Sequence, residues 1–287
     1  MANAADTAAS FGYSLAFFNS DPDLKALLDR ATAQNYTSER FVAELQNTNW
    51  FRTRSESYRK FVALATTDPQ TLASMQNQMA ARVNLLSAQT GAYVTPEEHH
   101  NFVDAAIALG WSDDTIREQL VQRLRIENGH YRGGQAAAAE QAVRQTLGDY
   151  GVNLDDASIG WYVQNIVRGA SADSTIKSWA MQQAASRYPA LADRIWAGEN
   201  VRQIASPYIQ SYGKLLEVSP DTVSIEDPLI QQALTSKDKE GKPAAKTVWQ
   251  FEQDLRNDSR WIRTQNAQDS MMTAAKKVLG DFGLVGV

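Results

Sequence analysis

Residues 35–54, NYTSERFVAELQNTNWFRTR, restrict the choice of fold most, because they spell a helix end, a turn and a helix start within a few positions. Asn35 suits the left-handed residue that closes one helix. Thr37 carries the hydroxyl that caps the next, and Tyr36 between them is spaced to pack on Phe41 as a hydrophobic staple. The same device returns at Gly110-Trp111-Ser112 with Ile116. It returns in weakened form at Gly169-Ala170-Ser171 with Ile176, where alanine replaces the staple aromatic. These copies sit at unequal intervals, so they predict helical hairpins packed with local differences and not a regular solenoid.

Other start signals agree. Asp21-Pro22, Asp68-Pro69 and Asp227-Pro228 each set a capping acid before a proline, which loses nothing at a position whose amide is unpaired anyway. Thr95-Pro96-Glu97-Glu98 adds a capping-box glutamate. Apolar stripes at helical spacing follow: Leu24, Leu27 and Leu28; Leu72, Met75, Met79, Val83 and Leu86; Phe102, Val103, Ala106 and Ile107. The predicted fold is all-α, an irregular array of about 12–16 helices, with at most one short β-hairpin near 236–247. Residues 1–10 read as a mobile arm, 11–130 and 131–287 as two helical subdomains, and 236–246, SKDKEGKPAAK, as an exposed loop. The last helix is expected over 270–282, before a glycine-bearing tail.

The second half of the opening stretch recurs only once. Phe41, Leu45, Asn47, Trp50, Phe51, Arg52 and Thr53 match Phe251, Leu255, Asn257, Trp261, Ile262, Arg263 and Thr264, with one residue inserted before the tryptophan. Trp50 and Trp261 are therefore expected to anchor equivalent helix junctions. Trp50, Phe51, Arg52, Arg54, Trp261, Ile262 and Arg263 are the candidate interaction residues.

Composition narrows the chemistry. With 287 residues, 43% hydrophobic and 21% charged, the chain affords a substantial core, and a net charge of −5 disfavours a surface made wholly for nucleic acid. There is no cysteine, so disulfides and thiolate metal sites are excluded. The N-terminus lacks a basic region and a long apolar run, and no stretch approaches a membrane span.

Motifs that could carry catalysis are weak. His99 and His100, beside Glu97 and Glu98, diverge by about 100° on a helix and need a distant ligand, such as His130, to hold one ion. Arg132-Gly133-Gly134 before a helix is a candidate anion loop but matches no phosphate-binding pattern. Arg40, Arg52, Arg54, Arg59 and Lys60 lie among Trp50, Phe51 and Tyr58, a mixture able to stack on single-stranded nucleic acid. No catalytic site, cofactor or metal is assigned.

Residues 11–18, TNWFRTRSESYRKF at 48–61 and WQFEQDLRNDSRWIRTQNAQDSM at 249–271 resemble helical regions of large virion proteins of tailed bacteriophages, particularly those infecting actinobacteria. The resemblance implies a non-enzymatic structural protein of the tail or particle interior. It would assemble in the host cytoplasm and act by contact with other virion proteins and with copies of itself. Two alternatives stay open: a peptidoglycan-acting virion enzyme, and an internal protein bound to DNA.

Overall fold

A computed structural model describes residues 3–281, and among them the chain is all-α. The described residues form seventeen α-helices, slightly more than expected, three short 3-10 turns and one two-stranded antiparallel sheet. Two compact units divide at Ala138 and Ala139, inside a helix, whereas the sequence placed the boundary at 130–131.

The first unit opens with α1 (Ala4–Ser10), α2 (Leu15–Asn19), α3 (Pro22–Ala33), α4 (Ser38–Asn47) and α5 (Asn49–Thr53). A helix therefore stands where the sequence suggested an arm. Asn3 caps it by accepting from the Asp6 amide at 2.8 Å, and Ala8 is fully buried in the core. Two aromatic residues just beyond α1 supply the reason. Phe11 stacks on Phe41 with ring centroids 4.0 Å apart, and Tyr13 stacks on Phe17 at 4.6 Å. These contacts hold α1 against the cluster of Phe18, Leu24, Leu27, Leu28, Phe41 and Trp50.

The unit continues with α6 (Glu56–Thr67), α7 (Pro69–Thr90), α8 (Pro96–Ala108) and α9 (Asp113–Val121). Their core joins Val83, Leu86, Phe102, Val103, Ile116 and Leu120, with Trp111 packed edge-on to Phe102 at 5.4 Å. Most caps follow the sequence. Asn35 has φ 49° and Gly110 φ 64°, Thr37 accepts from Arg40, and Ser112 accepts from Thr115.

The small sheet pairs β1 (Ile126–Glu127) with β2 (His130–Tyr131) through a left-handed Asn128-Gly129 turn. At 236–247, where the sequence allows at most one short hairpin, there is an isolated Lys237–Pro243 bridge. Asp238 explains this, because its carboxylate accepts from the Glu240 and Lys242 amides and curls the loop on itself.

Next come α10 (Gly134–Tyr150), α11 (Asp156–Val167), α12 (Ala172–Arg187), α13 (Ala192–Trp196), α14 (Val201–Leu216), α15 (Pro228–Leu234), α16 (Val248–Asn257) and α17 (Gln265–Asp281). All but the start of α10 lie in the second unit. Its core is built on Val143, Leu147, Ile159, Val163, Ile176, Tyr188, Ile195, Ile204, Ile209, Ile230, Phe251 and Leu255. The decay of the repeat is visible at Ser171, whose side chain makes no cap hydrogen bond. The terminal helix begins five residues earlier than expected, and Phe282 and the tail lie outside the described residues.

Candidate interaction surfaces

The seven candidate residues fall into the two units, Trp50 to Arg54 in the first and Trp261 to Arg263 in the second. Each group stands where its own helix junction puts it. The two preceding helices match closely: α4 and α16 are ten residues each, capped by Thr37 and Thr247, with Phe41, Leu45, Phe251 and Leu255 all buried. An apolar pair four residues apart on a short amphipathic helix has one face to bury, so the repeat preserves packing.

Beyond those helices the copies diverge. Thr48 ends α4 and caps α5 at once, donating to the Leu45 carbonyl at 2.7 Å and accepting from the Phe51 amide at 3.1 Å. This turn drives Trp50 inward, where its ring meets the edge of Phe17 at 5.4 Å and its amide donates to Asp23 at 3.2 Å. Phe51 is roofed by the Arg59 guanidinium, 3.8 Å from its centroid. Arg59 also donates to the Phe51 and Arg54 carbonyls, both at 2.7 Å. Arg40 lies over Tyr36 and Arg54 over Tyr58. The basic and aromatic side chains of this segment thus largely satisfy one another, while Arg52 and Arg54 remain exposed.

In the second unit the inserted residue changes the junction. Asp258 accepts from the Arg260 amide at 2.8 Å and from its guanidinium at 2.8 and 3.1 Å, which tightens the chain into a 3-10 turn, Trp261–Arg263. The remaining Arg260 nitrogen donates to the Tyr212 hydroxyl at 2.5 Å, and that hydroxyl donates to Asp227 at 2.8 Å. Burial, followed by the hydrogen bond to Asp227, pushes Tyr212 up to about 12. The Arg260 guanidinium holds Asp258 below the usual carboxylate range. This network ties α14, the segment before α15 and the end of α16 together, and no sequence motif announces it. Trp261 is half-buried with its indole N–H lacking a hydrogen-bond partner among the described residues, and Ile262 and Arg263 are exposed.

From that turn α17 emerges. Glu217, left-handed at φ 56° where α14 ends, accepts from the Gln265 and Asn266 amides at 3.0 and 2.8 Å. A carboxylate is well placed there, since it meets the unpaired amides and the positive end of the helix dipole. The Asn266 side chain donates to the Lys214 carbonyl at 2.8 Å, and Ala267 is fully buried. Among the described residues nothing covers the helix after this root: every residue from Gln268 to Leu279 is exposed, including Met271, Met272, Val278 and Leu279.

One further concave surface belongs to the 236–246 loop. It is an open cleft of about 680 Å³ between that loop and the start of α16, lined in part by Lys237, Lys239, Gln253 and Trp249. Trp249 is 68% exposed. The Lys246–Asp254 ion pair at 2.6 Å sits at the same place.

The remaining sequence candidates take structural positions. His99 pairs with Asn84 at 3.0 Å and His100 with Asp104 at 3.3 Å. Among the described residues no three His, Cys, Asp or Glu groups gather to hold a metal ion. Gly133 and Gly134 pack against the end of α7, where a Cβ on Gly134 would stand 2.4 Å from the Gly91 nitrogen. Arg132 pairs with Glu127. No described helix is long and apolar enough to cross a membrane. Comparison with protein-family models, curated proteins and solved structures finds no match for the chain.

Proposed function

We propose that this chain is a structural component of a tailed-bacteriophage virion, in the tail or inside the particle, that acts by assembling with other proteins and not by catalysis. The observation that carries the assembly reading is α17, a seventeen-residue helix whose large apolar side chains, Met271, Met272, Val278 and Leu279, are exposed. Helices gain most of their stability in proteins by packing an amphipathic face, and an uncovered face of this kind marks a surface that another chain covers. The virion setting rests on the resemblance of the 48–61 and 249–271 segments to phage particle proteins.

Mass spectrometry of purified particles tests the reading. The protein should be present in virions carrying the unaltered gene and strongly depleted when Met271→Glu and Val278→Glu are introduced together. Its absence from unaltered virions would overturn the proposal. The Arg40, Arg54 and Arg59 guanidinium groups lie over the Tyr36, Tyr58 and Phe51 rings, which favours the assembly reading over the DNA-bound alternative.

A further inference from the structure

We infer that the open cleft between the 236–246 loop and the start of α16 binds single-stranded nucleic acid, with one base stacked on Trp249 and the flanking phosphates met by Lys237 and Lys239. The site lies in the second unit, uses none of the 36–59 arginines, and does not depend on the assembly reading. The cleft is preorganised. One Asp238 carboxylate oxygen accepts from the Glu240 and Lys242 amides at 2.8 and 2.9 Å, and the Asp238 amide donates to the Lys242 carbonyl at 2.9 Å. Both ends of the loop are tied as well. The Ala244 amide donates to the Ser236 carbonyl at 2.9 Å, the Lys246 amide to the Ala233 carbonyl at 2.8 Å, and the Tyr208 hydroxyl to the Lys246 carbonyl at 2.5 Å. A wall held in this way loses little freedom when a ligand settles against it.

The polar groups divide into those already committed and those left over. Lys246 pairs with Asp254 at 2.6 Å, Lys242 pairs with Glu240 at 2.9 Å, and Gln250 is held in the capping box with Thr247. The side chains of Lys237, Lys239 and Gln253 have no ion-pair or hydrogen-bond partner among the described residues. Trp249, 68% exposed, stands four residues before Gln253 and so on the same face of α16. What remains for a ligand is one open aromatic face, one amide and two ammonium groups.

That set selects the occupant. Every base has a flat π-face, and an aromatic platform beside positive charge is what binds a single strand without regard to sequence. A side-chain amide can bond a base edge. The lining carries Lys237, Lys239 and Lys246 against Asp238 and Asp254, an excess of positive charge on a chain whose net charge is −5. An acidic peptide fits less well, because carboxylates are matched best by the arginine fork and no arginine lines the cleft among the described residues. A peptide's apolar anchor also needs a pocket, whereas the apolar side chains beside Trp249 are only Ala244 and Ala245 among the described residues. In a duplex each base is already stacked, which leaves the indole nothing to take.

Fluorescence anisotropy of a labelled oligothymidylate of about ten nucleotides, titrated with the intact protein at low salt, tests the inference. The dissociation constant should fall within roughly 1–100 µM, and a duplex of the same length should bind at least about tenfold more weakly. Trp249→Ala should weaken binding about five- to a hundredfold, the worth of one stacked base. Trp196→Ala, at another exposed tryptophan of the second unit, should leave it unchanged. Lys237→Gln with Lys239→Gln should reduce the slope of log K against log salt by about 1.4. All these positions are exposed, so circular dichroism should show each variant folded. Four results would overturn the inference: no binding up to about 200 µM protein; a duplex bound as tightly as the single strand; binding untouched by Trp249→Ala; or a glutamate peptide of the same length bound as tightly as the oligonucleotide, which would give the cleft to an acidic partner segment.

Discussion

At the residue scale, the side chains with the largest consequences are those that close a junction. Trp50 is buried between α2 and the start of α6, and Trp50→Ala should cost about 3–5 kcal/mol of stability, read from chemical denaturation. Trp261, half-buried with an unpaired indole N–H, should tolerate Trp261→Phe at less than about 1.5 kcal/mol, since no hydrogen bond is lost. Tyr212 supplies a pH signature. Its hydroxyl is held protonated in the fold up to about 12, against 10.0 for an ordinary tyrosine. The unfolded chain releases that proton first, so stability is fully present below pH 10 and falls as pH rises from about 10 towards 12. Tyr212→Phe should flatten that alkaline loss in melting curves taken across the range.

At the scale of elements, caps and close approaches decide where helices begin and end. Thr247 and Gln250 form a reciprocal capping box at α16, and Thr247→Ala should destabilise by about 1 kcal/mol. The glycines separate into two kinds. At Gly129, φ is +79° with open space around it, so Gly129→Ala should cost about 1–2 kcal/mol, from backbone strain alone. At Gly134 the added carbon would also strike the α7 terminus, and Gly134→Ala should be clearly the more damaging in the same thermal melt. Much of this level is legible in sequence, because a cap is written within four residues: Asn35, Thr37, Thr95, Gly110 and Ser112 all act locally. What stays hidden joins distant positions. Nothing near Arg260 points to Tyr212, and nothing near Gln265 points to Glu217. Likewise α1 reads as an arm because its partner, Phe41, acts through Phe11 some thirty positions away.

At the scale of the whole molecule, the described residues gather no three His, Cys, Asp or Glu side chains to hold a metal ion, and the largest exposed apolar run is on a helix. The candidate residues named from the repeat fall in two units, and the repeat preserves how Phe41, Leu45, Phe251 and Leu255 pack and not what is displayed beyond them. The displayed element is α17. Its apolar side chains follow a helical period that the sequence contains in full, but exposure is a property of the packed chain, and periodicity alone reads the same for a buried helix.

The root of α17 has a mechanical consequence. Glu217, Lys214 and the socket around Ala267 grip three consecutive residues, Gln265 to Ala267, at one end of a rod. With a rise of about 1.5 Å per residue the rest of that rod is roughly 20 Å long, so a tilt of about 10° at the grip sweeps the far end by roughly 4 Å. The left-handed turn at Glu217 thereby acts as a fulcrum. A small change in the end of α14 is magnified at Val278 and Leu279, and a partner that seizes the far end gains the same lever in reverse.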